Sequence, residues 1–216
     1  MEALAVEINV PLKPLSARKY RAILDAGKRV FLETGYADSS MERIAKEANV
    51  SKRTVYNHFS SKYELFCSVL IDLTRDVMPA GSQELQVDEL PVKEALNSLS
   101  VHFLQTIYSP DVVALLRMVI AESRQFPELG VTMFDGVISR SMVLVEKYFK
   151  RKAEKGELAI SDPKLATAQF IGLLKTDLQL KLLLGKRKRV SLKEIKKVAD
   201  SCVEIFLCHA THSHSN

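Results

Sequence analysis

Apolar side chains recur at helical spacing through the first third of the chain. From Ala17 the stripe runs through Ile23 and Phe31 and stops before Gly35, a residue suited to end a helix. Two short helical patterns follow with only Asn-Val-Ser between them, and a longer one continues toward Pro79. Serines suited to cap these helices are Ser16, Ser39 or Ser40, Ser51, and Ser60 or Ser61. The pattern predicts one long helix, two short helices joined by a tight turn, and a fourth helix.

Five longer helical patterns occupy the remainder of the chain, beyond a polar stretch at residues 80–90. They cover residues 91–108, 111–125, 128–154, 162–184 and 191–209, and Pro or Gly residues mark most of the gaps. No strand-like alternation competes with the helical period. We therefore predict an all-α fold of about nine helices, preceded by a flexible arm over residues 1–15.

The composition is typical of a globular protein and argues against a membrane or secreted one. Of 216 residues, 47% are apolar and 26% are charged, which is enough to bury a sizeable core. No stretch of 18 apolar residues is free of charged residues. The N-terminus carries Glu2 and Glu7 in place of a basic and apolar leader. We expect a cytoplasmic protein. Cys67, Cys202 and Cys208 lie in apolar helical patterns at unrelated spacings, as reduced packing residues do.

Positive charge is concentrated in two regions. The net charge of +5 at pH 7 is a mild excess that by itself decides nothing about a partner. Residues 16–64 hold ten Lys and Arg against six Asp and Glu, and residues 186–197 hold seven against one. The first region coincides with the two short helices. The second contains the Lys186–Arg189 run, which is either a second nucleic-acid patch or a solvated loop.

The second short helix has an outer face unlike that of a merely solvated helix. Val50, Val55 and Phe59 are enough to dock it on a core. The residues left facing outward are Lys52, Arg53, Thr54, Tyr56, Asn57 and His58. Their groups suit the edges of base pairs, with Lys and Arg for guanine, Asn for adenine and the Thr methyl for thymine. The pattern predicts a helix-turn-helix that binds double-stranded DNA, against the alternative of a helical hairpin with a basic surface.

The same region resembles the N-terminal module of the TetR/AcrR family of transcriptional regulators. The matching positions are Gly35, Ser39, Ser40, Ile44, Ala45, Val50, Ser51, Tyr56, His58, Phe59, Lys62 and Leu65. They lie within residues 16–66 and agree with the family motif in both spacing and residue type. Two positions depart from it, because Asn49 and Arg53 stand where the family often has Gly. Asn49 preserves the turn as a residue that tolerates left-handed backbone, whereas Arg53 places a long cation near the start of the recognition helix.

The resemblance implies two domains and a role for each polar residue of the recognition helix. It implies a helix-turn-helix DNA-binding domain over residues 16–62 and a regulatory domain over residues 63–209 that binds a ligand and dimerises. By the same resemblance, the phosphate contacts would be Tyr56, His58 and Lys62, and the base-reading candidates would be Lys52, Arg53, Thr54 and Asn57, with Ser40 as a further DNA-binding candidate. Lys62 also lies in the first turn of its helix, where backbone N–H groups favour an anion.

Apolar residues of the last two helices are candidates for a dimer interface. Helices this apolar need two covered sides, and pairing with their symmetry mates in a four-helix interface would supply the second. The candidates are Leu173, Leu174, Ile195, Val198, Cys202, Ile205 and Phe206. The alternative is burial of both sides within one subunit.

Aromatic, flexible and hydrogen-bonding residues of helices four to seven are expected to line a cavity for a small, mostly apolar effector. The ligand-binding candidates are His102, Phe103, Tyr108, Arg117, Met118, Phe126, Met133, Phe134 and Ser139. The same residues would also serve as ordinary core or surface. Arg117 and Arg124 share a helix face, which either favours an acidic ligand or is solvated.

We expect a regulator without a cofactor or a metal site, and not an enzyme. His58, Cys67 and Asp135 are not grouped, and the sequence lacks a glycine-rich phosphate loop, a nucleophile elbow and a metal-spaced set of Cys and His. A metal ion is the alternative role for His209, His212 and His214, but we expect residues 210–216 to be a disordered tail. The remaining alternative is a helical interaction protein with no DNA target.

The expected function is therefore that of a ligand-responsive transcriptional repressor. It would bind a palindromic operator as a homodimer and be released by the effector. The expected partners are double-stranded DNA, the effector and a second copy of the chain, with no membrane.

Overall fold

Nine helices account for most of the residues that the structure describes. The computed structural model describes residues 14–75 and 88–211. The helices are α1 Pro14–Thr34, α2 Met41–Glu47, α3 Lys52–His58, α4 Lys62–Thr74, α5 Val92–Ile107, α6 Pro110–Glu122, α7 with its parts Pro127–Met133 and Ser139–Glu154, α8 Pro163–Leu183 and α9 Leu192–Thr211. A π-helical turn, Phe134–Ile138, joins the two parts of α7. The described residues contain no strand, which confirms the prediction of an all-α fold with about nine helices.

The predicted arm and tail fall mostly outside the described residues. Residues 14 and 15 of the predicted arm belong to α1, and residues 210 and 211 of the predicted tail belong to α9. No single helix among residues 14–75 and 88–211 is long and apolar enough to cross a membrane, although the bent pair α5 and α6 would pass that test if counted together.

The helices form two compact units. Unit 1 consists of the described residues up to Leu73 together with Ala114–Gly136, and unit 2 consists of Thr74–Val113 and the described residues from Val137 onward. Unit 1 therefore contains α1 to α4, most of α6 and the first part of α7. Unit 2 contains α5, the second part of α7, α8 and α9.

The core of unit 1 is built from the apolar stripes of its first four helices. Phe31 of α1, Ile44 of α2, Val55 of α3 and Phe66 of α4 are fully buried. Full burial of one such side chain contributes about 1.5–3 kcal/mol, so the short helices α2 and α3 depend on this packing for their stability. The Phe31 and Phe66 rings meet edge to face at 5.8 Å.

Local side-chain chemistry fixes the ends of the two short helices. Ser40 caps α2 by accepting from the Arg43 N–H at 3.2 Å, and Ser51 caps α3 by accepting from the Thr54 N–H at 3.1 Å. Between them Asn49 takes a φ of 53°, the left-handed backbone that the sequence predicts for the turn. The turn between α2 and α3 is therefore set by residues within it.

The core of unit 2 is centred on three phenylalanine rings. Phe149 of α7 lies 5.7 Å from Phe170 of α8 and 5.0 Å from Phe206 of α9, and Phe170 lies 4.8 Å from Phe206. Cys202 of α9 is buried in the same cluster. Cys67 is buried as well, whereas Cys208 is exposed on the solvent side of α9, so the prediction that all three cysteines are packing residues is wrong for Cys208.

Candidate nucleic-acid interface

One side chain docks helix α3 on the core, and the others face outward or lie at its margins. Val55 is fully buried, while Lys52, Arg53, Tyr56 and Asn57 are exposed. Thr54 and His58 are half-buried at the margins of this face. The structure therefore brings the six predicted residues of α3 together on one short helix, around the side chain that anchors it. Ser40, at the start of α2, is half-buried and engaged as a cap.

The outward residues of α3 differ in how far they are already engaged. The Lys52 ammonium pairs with the Glu42 carboxylate, which raises the pKa of Lys52 by a hydrogen bond. The hydroxyl groups of Ser51 and Thr54 lie 2.8 Å apart in a hydrogen bond. Arg53 and Asn57 make no side-chain hydrogen bond or ion pair with the described residues. Arg53 and Asn57 are therefore the two side chains of this face that are free to bind a ligand without first losing a contact.

His58 is held at the end of α3 by aromatic neighbours. Its ring meets Tyr20 edge to face at 6.0 Å. Burial lowers the pKa of His58, and the nearby Lys19 charge adds to that effect. Both effects favour the neutral form of the His58 ring in the unbound protein.

Lys62 is used within the chain and not on the surface. Its ammonium donates to the carbonyl oxygens of Tyr36 at 2.6 Å, Ala37 at 3.1 Å and Ser39 at 3.0 Å, and it lies 4.5 Å from the centre of the Tyr36 ring. An ammonium group has three N–H donors, and all three are occupied. In the unbound protein Lys62 thus holds the turn between α1 and α2, and its contact with phosphate stays a prediction.

Glu122 holds the same turn from its N–H side. Its two carboxylate oxygens accept the backbone N–H groups of Tyr36 and Ala37, each at 2.7 Å. Gly35 makes this approach possible, because a Cβ atom at Gly35 would lie 2.4 Å from a Glu122 oxygen. The φ of Gly35 is 82°, which also favours glycine. The segment that leads into α2 is thus clamped between a carboxylate and an ammonium.

Sequence reasoning missed Glu122, although one local signal was available. Glu122 is the last residue of α6, where the carbonyl end of the helix disfavours a negative charge. An acid in that position suggests a compensating partner elsewhere in the fold. The pattern alone does not say which partner, because Glu122 and Tyr36 are 86 residues apart.

Most of the predicted dimer residues lie inside the chain's own core. Leu174, Ile195, Cys202 and Phe206 are buried in unit 2 and leave almost no surface for a second chain, and Val198 is half-buried against the same core. Leu173 and Ile205 are exposed, at 36% and 56% of their surface. The apolar stripe of α9 is thus chiefly an internal packing surface, and only its margin faces outward.

An apolar groove runs along the outer side of unit 2. It has a volume of about 990 Å³ and lies between the end of α7, the following loop, α8 and α9. Three of the residues that line it are exposed apolar side chains, Leu165, Leu173 and Ile205. The groove also includes Gly172, where an added Cβ would meet nothing within 4 Å. This face is apolar and open.

The predicted ligand residues are divided between the two units. Arg117, Met118, Phe126, Met133 and Phe134 belong to unit 1, and His102, Phe103, Tyr108 and Ser139 belong to unit 2. Phe103, Tyr108, Met118 and Met133 are buried, whereas His102, Arg117 and Phe134 are exposed. His102 alone lines one of the grooves described within unit 2, an open groove of about 410 Å³ between α5 and α9. Arg117 and Arg124 are both exposed.

Part of the second basic region has a structural role. Arg187 binds the Glu194 carboxylate through two hydrogen bonds of 2.8 and 3.1 Å. This contact, with help from Ser191, lowers the pKa of Glu194 to about 2. Lys186, Lys188 and Arg189 are exposed. In the described residues, no three His, Cys, Asp or Glu side chains are placed to hold a metal ion.

Comparisons with known proteins agree with this geometry in both parts of the chain. Residues 23–69 match the family model described as bacterial regulatory proteins of the tetR family, and residues 94–209 match the C-terminal domain of the AefR-like transcriptional repressor. The chain is similar to the HTH-type transcriptional regulator SrpR of Pseudomonas putida, with 26% identity over 191 residues that cover 82% of this chain and 79% of SrpR.

Solved structures extend the likeness to nearly the whole chain. A TetR-family transcriptional regulator from Mesorhizobium loti is 28% identical with a TM-score of 0.79, covering 91% of this chain and 98% of the other. The flavonoid-responsive regulator FrrA is also 28% identical, with a TM-score of 0.72 and coverage of 91% and 99%. With a family model matched over more than half of its length, the chain belongs to the TetR family of bacterial transcriptional regulators, which bind DNA through a helix-turn-helix.

Proposed function

We propose that this protein is a cytoplasmic, ligand-responsive repressor that binds a palindromic operator as a homodimer through α3. The observation that carries the proposal is the face of α3, where cationic and amide side chains surround the one buried anchor, Val55. Such a face combines phosphate attraction with groups that read base edges. The match of residues 94–209 to a repressor domain favours repression over activation.

We assign the side chains of α3 to base or phosphate contacts according to their exposure and their existing contacts. Arg53 and Asn57 are exposed and free of internal contacts, so we assign them to base reading. Tyr56 is exposed, and His58 lies at the margin of the same face with a ring N–H to donate, which suits both to phosphate oxygens. Lys52 would exchange its Glu42 partner for DNA, and the Thr54 methyl group remains for contact with thymine.

The second copy would sit on the apolar groove of unit 2. Exposed Leu165, Leu173 and Ile205 line it, and pairing α8 and α9 with their symmetry mates would cover all three. A dimer of this kind presents two copies of α3 to half-sites about one turn, or roughly 34–36 Å, apart. In this proposal the dimer contacts of α9 come from its outer margin and not from its internal apolar stripe.

The effector is proposed to be a small molecule with a mostly apolar body. FrrA, a flavonoid-responsive regulator that is 28% identical to this chain, supports this class. Effector and operator would compete through the spacing of the two recognition helices. Linkage requires that each weakens the other by the same factor.

The test begins with operator selection. Genomic fragments bound by the protein are sequenced, and the affinity for the selected duplex and for random duplex is measured by fluorescence anisotropy. Arg53→Ala and Asn57→Ala should each weaken operator binding by about 1–3 kcal/mol and relax the preference at one base pair. Arg124→Ala removes one exposed cation elsewhere in unit 1 and serves as the control. Equal losses on operator and random duplex for Arg53→Ala and Asn57→Ala would refute the assignment, as would a monomer by light scattering at micromolar concentration.

A further inference from the structure

An acid from α2 reaches the outer face of α3. The sequence of α3 contains no acid of its own, and Glu42 in the first turn of α2 pairs with Lys52, the first residue of α3. Both side chains are more than half exposed. A carboxylate on a DNA-facing surface repels phosphate and neutralises a cation, so it weakens binding to duplex in general. A role of Glu42 in DNA binding would therefore be one in specificity and not in affinity.

Two other exposed ion pairs involve α2, and both join it to α1. Arg29 of α1 contacts Glu47 of α2 at 2.9 Å, and Arg43 of α2 contacts Glu33 of α1 at 2.8 Å. These pairs leave the face of α3 untouched, whereas the partner of Glu42 belongs to α3. Glu47 thus resembles Glu42 in its helix, its charge and its pairing with a cation, and differs in the helix that supplies the cation.

The ion pair lies at the end of α3 that would meet the bases. The N-terminal residues of a recognition helix contact base edges in the major groove. Lys52 directly follows Ser51, the cap of α3. The Lys52 ammonium also lies 5.8 Å from the centre of the Tyr56 ring, one turn further along the same helix. The ammonium is thus held between the Glu42 carboxylate and an aromatic ring, which gives the pair a defined position on this face.

A carboxylate and an ammonium side by side match the major-groove edge of a G·C base pair. Cytosine presents its N4 amino group as a donor, and guanine presents O6 and N7 as two acceptors. An A·T pair fits less well, because the carboxylate would meet adenine N7 beside the N6 amino group and the thymine methyl group lies beside O4. The amide of Gln suits adenine, since it accepts from N6 while it donates to N7. Glu and Gln at position 42 should therefore prefer different base pairs.

We propose that Glu42 and Lys52 together read one G·C base pair in each operator half-site. Each ion exchanges its partner for a base of that pair, so that the carboxylate accepts from cytosine N4 and the ammonium donates to guanine O6 or N7. An exposed ion pair is weak enough to be opened in this way. At an A·T pair the carboxylate would lose Lys52 without gaining a matching donor, which penalises the wrong sequence. This inference rests on the proposed function, because it names one base pair of the operator.

Operator selection with the full chain tests the preference that position 42 sets. Wild type should select a G·C pair at one position of each half-site, and Glu42→Gln should lose that preference and favour A·T there. Fluorescence anisotropy then measures both proteins on the selected duplex and on a duplex with A·T at that position. The change should weaken wild type by about 5- to 150-fold and Glu42→Gln by less than about 3-fold.

Glu47→Gln is the matched control. It removes the same charge from the same helix, but the cation that it leaves unpaired, Arg29, belongs to α1. Both Gln variants raise the net positive charge and should bind random duplex somewhat more tightly than wild type. Only Glu42→Gln should change the base preference. A G·C preference that persists in Glu42→Gln, or one that is lost equally in Glu47→Gln, would overturn the proposal.

Lys52→Met tests whether the two ions read the same base pair. It should relax the preference at the position that Glu42→Gln changes, and at no other. The loss of operator affinity in the double variant should be smaller than the two single losses combined, because each single variant leaves one ion of the pair without its partner. Relaxation at a different position, or losses that are additive, would overturn the proposal.

The variants of the proposed function separate the two inferences. If Arg53→Ala and Asn57→Ala relax the operator as proposed while Glu42→Gln selects the same operator as wild type, the reading of a G·C pair by Glu42 and Lys52 is overturned alone. If wild type selects no operator at all, the proposed function and this inference are overturned together.

Discussion

Replacing Glu122 by Gln is expected to loosen the turn between α1 and α2. Each Glu122 oxygen accepts one backbone N–H at 2.7 Å, from Tyr36 and from Ala37. A hydrogen bond to a charged group contributes about 1.5–3 kcal/mol and a neutral one about 1 kcal/mol. Gln keeps one acceptor oxygen and turns an NH₂ group toward the second N–H. Because Ala37 is exposed, we expect the lower part of the resulting range, a loss of about 2–3 kcal/mol in the free energy of opening the turn.

Amide hydrogen exchange measures this opening directly. A loss of 2–3 kcal/mol corresponds to exchange that is about 30- to 150-fold faster at the amides of Tyr36 and Ala37. Glu128→Gln is the control, since Glu128 is exposed in the same unit and its loss removes the same charge without a hydrogen bond to the turn. Unchanged exchange at the two amides in Glu122→Gln, or an equal acceleration in Glu128→Gln, would refute the role given to the carboxylate.

Three further predictions concern the DNA-binding helices. Lys62→Met should lower the free energy of unfolding by about 2 kcal/mol, because three carbonyl oxygens are left without a donor. It should leave the salt dependence of DNA affinity unchanged, whereas a slope of log affinity against log salt that is smaller by about one would show that Lys62 contacts phosphate. Asn49→Ala should cost about 1 kcal/mol in chemical denaturation because of the left-handed backbone, while Asn49→Gly should stay within a few tenths, and equal effects would contradict this reading. The lowered pKa of His58 means that the unfolded chain takes up a proton first as the pH falls below about 6.5, so stability should decline in that window, and melting temperatures at pH 7.5 and 5.5 should show a smaller decline in His58→Gln.

The helix boundaries were predictable because they follow from local chemistry. Ser40 and Ser51 cap α2 and α3 through side chains that reach N–H groups three residues on, and any sequence with that spacing shows the signal. Asn49 takes left-handed backbone for reasons contained in its own side chain. The exposed face of α3 follows in the same way, since one apolar position fixes the orientation of a helix of seven residues.

The contacts that position this face could not be predicted in the same way. Glu122 reaches the turn across 86 residues and Lys62 across up to 26, and hydrophobic periodicity carries no information about such pairs. Helix α8 departs from helical backbone at Thr176 without proline or glycine at that residue, so propensity gives no warning of this break. Periodicity also finds an apolar stripe without saying what covers it. For Phe206 the sequence therefore leaves two alternatives, a dimer interface or the core of its own subunit, and in the structure it is buried in the core of unit 2.

The contact between Gly35 and Glu122 also has an evolutionary consequence. A carboxylate oxygen occupies the space that a side chain at position 35 would need, with 2.4 Å to the position of its Cβ. A side chain at position 35 would displace the Glu122 carboxylate. Glu122 would then lose its hydrogen bonds to the two backbone N–H groups. Among descendants of a common ancestor, a lineage that acquires a side chain at position 35 should therefore carry a shorter or uncharged residue at position 122.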